Sequence, residues 1–85
     1  MKYKFRQYKI SDEMVDAIKR YTDNKVQPGE FLTHIICNDP IRDCIESADS
    51  QNMANLPAFL AYFVNEAPSQ CWGSREKMEA WLNEK

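Results

Sequence analysis

Glycine is nearly missing from this 85-residue chain, with only Gly29 and Gly73, and no apolar run approaches the ~18 residues that a membrane-spanning helix needs. The first shortage leaves no glycine-rich loop to cradle a phosphate. The second removes a helical span, so no membrane partner is expected. Histidine occurs once, as His34, with no Ser or Cys nucleophile motif beside it. A protein that binds, and not one that catalyses, is therefore expected, with no cofactor. The three cysteines, Cys37, Cys44 and Cys71, are odd in number and irregular in spacing, unlike a secreted disulfide framework. Reduced, buried thiols in a cytoplasmic protein are the expectation. The charged start Met1-Lys2-Tyr3-Lys4-Phe5-Arg6 agrees, since no signal-peptide hydrophobic stretch follows it.

What the chain does have is aromatic and aliphatic mass: two Trp, four Tyr and four Phe within a 44% hydrophobic composition. That is enough for one compact core and too much for a disordered chain. At this length a second core is not expected. Charge divides the chain unevenly. Lys2, Lys4, Arg6 and Lys9 fall in the first ten residues without an acid, whereas Glu30, Asp39, Asp43, Glu46, Asp49 and Glu66 face only Arg42 between residues 26 and 70.

The apolar spacing predicts an all-α fold: a compact, irregular bundle of about five short helices over 11–85, behind a basic extended arm over 1–10. In the arm, Tyr3, Phe5, Tyr8 and Ile10 begin a strand-like alternation that then slips by one. An isolated strand is unstable, so the arm must lie on its own domain, pair with a copy of itself or join a partner's sheet. Ser11 caps a first helix to about Asn24 with Met14, Val15, Ile18 and Tyr21 on one stripe. Pro28 starts a second, carrying Phe31, Leu32, Ile35 and Ile36 inward. Asp39 is placed to cap a third helix of about 40–48, with Pro40 at its first position and Ile41, Cys44, Ile45 and Ala48 buried. The fourth either starts at Leu56, capped by Asn55, or starts near Ser50 and kinks at Pro57. In both cases Leu56, Phe59, Leu60, Phe63 and Val64 form its buried side. Asn65-Glu66-Ala67-Pro68 ends it, and Ser74 caps the last helix, which turns Met78, Trp81 and Leu82 to one face.

Several residue sets invite a chemical reading. His34 and Cys37 share a helix face and, with Cys44 and Cys71, would make a four-ligand zinc set, but the spacing matches no common finger and each position suits core. No metal is expected. Asp39/Asp43 and Glu46/Asp49 stand at one-turn spacing, a pattern that a solvated acidic face explains as well as a cation or acid–base site. The arm's cations interleave with aromatics, which suits phosphate contact and base stacking, against an acidic remainder that would repel duplex DNA. Trp72, beside Gly73, is a candidate anchor for a partner, or a ring folded over the core next to Trp81.

The motifs Pro28-Gly29-x-Phe31-Leu32, Asn38-Asp39, Ala48-Asp49-x-x-Asn52, Asn65-Glu66-Ala67-Pro68 and Cys71-Trp72-Gly73-Ser74 ahead of Trp81 occur together. In that combination the chain resembles small accessory proteins of tailed bacteriophages over roughly residues 10 to 82, with the arm outside. The resemblance implies no assigned activity, but it implies a setting: the host cytoplasm, where such proteins commonly sequester or block a host factor, including components of immunity. The leading expectation is thus a phage-encoded inhibitor or adaptor bound to a host bacterial protein. Its candidate binding residues are Asn38, Asp39, Asp43, Glu46, Asp49, Asn52, Asn65, Glu66, Trp72 and Ser74. Asp39 and Ser74 equally suit helix caps, and Asn38, Asn52 and Asn65 suit loops. The alternatives are an oligomeric sponge for a small nucleotide-like signal, with Trp72 stacked on its base, and a nucleic-acid-binding protein using the arm. A homodimer remains open.

Overall fold

The computed structural model describes residues 3–84; Lys2 of the basic arm, and the side chain of Ile41, lie outside the described residues. The chain begins with strands β1 (Tyr3–Phe5) and β2 (Tyr8–Ile10), then runs through α1 (Asp12–Asn24), α2 (Glu30–Ile36), α3 (Ile41–Ser47), α4 (Ser50–Ala54) and α5 (Leu56–Asn65). A 3-10 turn (Ser69–Cys71) leads into α6 (Arg75–Asn83). The protein is therefore mostly helical but not strictly all-α, and among the described residues six helices replace the expected five.

The expected extended arm is an antiparallel hairpin, with Tyr3 opposite Ile10, Lys4 opposite Lys9 and Phe5 opposite Tyr8. The slip in the alternation is its two-residue turn, Arg6-Gln7. Reversing the chain there keeps Tyr3, Phe5, Tyr8 and Ile10 on one face, which packs on the core, and leaves Lys4 and Lys9 exposed on the other. A lone hairpin of this size would not hold in water. It lies against α5, with Tyr3 edge-on to Tyr62 at 5.0 Å between ring centroids, and Asn55 Oδ1 accepts from the Lys9 backbone N–H at 2.9 Å.

Helix α1 starts and ends as its residues demand. Ser11 Oγ accepts from the Met14 N–H, and Asp12 and Glu13 put negative charge at the positive end of the helix dipole. Val15, Ile18 and Tyr21 are buried. Lys25, at φ 59°, turns the chain out of the helix, and its ammonium lies over the Trp81 ring at 3.1 Å from the centroid. At the same corner Trp81 Nε1 donates to the Tyr21 carbonyl at 3.2 Å, and the Tyr21 hydroxyl donates to the Cys71 carbonyl at 2.6 Å. Gly73 N–H donates to the Ile36 carbonyl at 2.7 Å. Because Gly73 sits at φ 113°, a side chain there would be strained.

Three expectations need correction. The start of the fourth helix matches neither alternative whole: Asp49 Oδ1 caps a separate short α4, and α5 begins at Leu56 with Pro57 in its first turn, but Asn55 at its cap position makes no side-chain cap, its Oδ1 accepting from the Lys9 N–H instead. On α5 the buried residues are Ala58, Phe59, Ala61 and Phe63, while Leu60 is 43% and Val64 66% exposed. A helix apolar on every side has more apolar positions than its covered faces can take, and the hairpin and α2 both pack on α5. On α3, Ile45 is likewise exposed although Cys44 is buried. Finally, Asp39 does not cap α3; Pro40 occupies that position, and no side chain caps the helix. The Asp39 carboxylate has stronger partners elsewhere.

Candidate functional site

Two depressions meet at Leu60. The larger, about 340 Å³, is a shallow and almost wholly apolar groove lined by Phe5, Pro57, Leu60, Ala61, Val64 and Asn65. Hairpin and helix build it together: β1 brings Phe5 alongside the α5 row of Pro57, Ala61, Val64 and Asn65, which recur at helical spacing. The smaller is a cleft of about 180 Å³ lined by His34, Ile35, Asn38, Asp39, Cys44 and Leu60.

The cleft is polar at its rim. Asn38, at φ 57°, folds the chain back after α2 so that the Asp39 N–H reaches the His34 carbonyl at 3.0 Å. This carries the Asp39 carboxylate over the imidazole: His34 Nδ1 lies 2.8 Å from Asp39 Oδ2, and Arg75 Nη2 donates to the same oxygen at 3.1 Å. A carboxylate oxygen accepts, so Nδ1 is the donor in this contact, and Nε2 lies 3.8 Å from Glu30 Oε1. These charge-assisted contacts explain why Asp39 leaves the cap of α3. The cluster ties α2, the turn before α3 and α6 together.

A histidine oriented by a carboxylate would serve acid–base work if a nucleophile stood beside it. Cys44 does line the cleft, but burial pushes its thiol above the ordinary range, and Asp39 and Asp43 push it in the same direction. The thiolate is thus disfavoured where it would be needed. Burial raises Cys37 and Cys71 as well. Cys37 packs its sulfur 3.5 Å from Met78 Sδ, and all three thiols are free. Among the described residues no group of three or more His, Cys, Asp or Glu side chains is placed to hold a metal ion.

The other expected site residues disperse. Asn38 and Asp39 share the cleft with His34, and Asn65 lines the groove, with Glu66 exposed beyond it. Asp43 and Glu46 lie on α3, half-buried and exposed in turn. Asp49 caps α4 through the Asn52 N–H at 2.7 Å, and Asn52 is 9% exposed. Ser74 caps α6 through the Lys77 N–H at 3.1 Å. Trp72 is half-buried against Phe63, at 5.8 Å between centroids. Neither depression is lined by Asp49, Asn52, Trp72 or Ser74.

The hairpin separates the two halves of the basic arm. Its aromatics turn inward to the core, so they are spent on packing and do not stand ready to stack on bases, while Lys4, Arg6 and Lys9 stay exposed. The Arg6 guanidinium lies 5.1 Å from the Phe5 ring centroid, which sets a cation on one wall of the groove. Phe5, Pro57, Leu60 and Val64 were not among the expected site residues. The available signal was the length of the apolar run from Leu56 to Val64, which exceeds one buried stripe.

No family model matches the chain, and no curated protein or solved structure matches it.

Proposed function

We propose that this protein works by docking another protein on the surface shared by α5 and the hairpin, without catalysis. The observation that carries the reading is the pair of aliphatic side chains on α5, Leu60 and Val64, left 43% and 66% exposed beside an apolar groove. Isolated exposed aliphatics are ordinary, whereas two on one helix edge, continuous with a groove that an aromatic wall completes, mark an interaction surface. In the setting implied by the likeness to phage accessory proteins, the partner is a host bacterial protein and the outcome is its blockade or redirection.

The test is native mass spectrometry of protein purified gently from bacterial cells, comparing wild type with Val64→Asp. A second protein held at fixed stoichiometry by the wild type and lost from the variant, with both forms melting alike, supports the reading. A co-purifying protein that Val64→Asp does not disturb would place docking elsewhere. A retained small mass would move the function to the cleft of His34 and Asp39.

A further inference from the structure

The groove carries information about what fills it. Resting on the docking reading above, we infer that its occupant is an apolar segment of a foreign protein flanked by acidic residues, one of which meets Arg6. Arg6 occupies a backbone conformation that costs it stability. At φ 56° it stands in the left-handed region, where glycine or asparagine would sit with less strain. Its side chain extends over Phe5, the residue by which the hairpin forms one wall of the groove. Lys4 and Lys9 oppose each other directly across the two strands, an arrangement that like charges disfavour. Among the described residues no carboxylate pairs with any of the three cations. The three belong to one small hairpin and are all exposed. Lys4 and Lys9 stand on the face of the ribbon opposite Phe5, so Arg6 is the cation beside the groove, and negative charge arriving there would meet its exposed guanidinium. Complementary charge here selects the partner and speeds its encounter, while the apolar contact with Leu60 and Val64 holds it.

The experiment uses three labelled amphipathic helical peptides that share one leucine stripe and differ only in flanks of Glu, Gln or Lys, with binding read by fluorescence anisotropy. The Glu-flanked peptide is expected to bind at least roughly tenfold tighter than the Lys-flanked one at low salt, and the gap should narrow as salt rises. Arg6→Asn should weaken the Glu preference and at the same time raise the melting temperature, because asparagine tolerates the left-handed turn. A residue with only a structural role would not give those opposite signs. Equal binding of the three peptides, or tightest binding of the Lys form, overturns the acidic occupant and leaves the docking surface standing. No binding by any peptide, or binding that Val64→Asp leaves intact, overturns the docking surface itself. Sedimentation showing that the chain fills the groove with its own second copy would overturn the foreign occupant.

Discussion

The corner where α1 meets α6 and the outer face of α5 are both built from large apolar side chains, yet they are finished differently. At the corner, each polar atom on an aromatic side chain has a partner: the Tyr21 hydroxyl on the Cys71 carbonyl and the Trp81 indole on the Tyr21 carbonyl. Tyr21 is 0% exposed. On α5 the inner residues Phe59 and Phe63 are buried to the same degree, while Leu60 and Val64, on the same helix, face solvent. The contrast separates side chains that hold the fold from side chains that are free to meet something else. Stability and binding should therefore respond to different substitutions.

The largest effect should come from the inner face of α5. Phe63→Ala removes a ring that touches both Tyr62 and Trp72, and denaturant melts should show a loss of about 3–5 kcal/mol. Tyr21→Phe comes next. It deletes one hydroxyl and leaves the buried Cys71 carbonyl without its donor, at a cost of about 1–3 kcal/mol.

The same residue makes a pH prediction. Burial raises the Tyr21 phenol well above its ordinary value of 10.0. A group whose folded value is raised contributes stability below its unfolded value, and that stability is lost as pH climbs toward the folded one. Wild-type stability should consequently fall as pH rises above 10.0, and Tyr21→Phe should flatten that fall, as alkaline melting curves would show. A wild-type curve parallel to that of Tyr21→Phe would mean that the corner is less dry than its geometry says.

Ser74→Ala should cost about 0.5–2 kcal/mol, since it strips the cap from α6 and leaves the Lys77 N–H unpaired. The smallest effect belongs to Val64→Asp, which should change stability by no more than about 0.5 kcal/mol because the side chain already faces water. A large loss there would dissolve the contrast between the two regions.

Particular residues show how much of this was legible. The start of α1 could be read because Ser11, Asp12 and Glu13 act on the nearest backbone groups, and its stripe of Val15, Ile18 and Tyr21 obeys the helical repeat. The cap at Ser74 was legible for the same reason. The hairpin was not, because Arg6-Gln7 offers none of the Gly or Asn chemistry that announces a tight turn; the one-residue slip between Phe5 and Tyr8 was its trace. Asp39 misled because its local role as a cap competed with partners distant in sequence. Arg75 lies on another helix, and nothing near Asp39 in the chain announces it.

By itself the sequence determined the mostly helical content, the capped starts of α1 and α6, the burial of the three thiols and the split between a basic beginning and an acidic middle. Those properties depend on caps, spacing and composition, which act over a few residues. Only the tertiary structure decided that the arm doubles back, that Ala58 and Ala61 of α5 go inward while Leu60 and Val64 stay out, and that His34, Asp39 and Arg75 meet. Each of these outcomes depends on which face a distant segment covers, and α5 presents apolar residues all round, so the segments packed on it, the hairpin and α2 among them, settle which of them the water keeps.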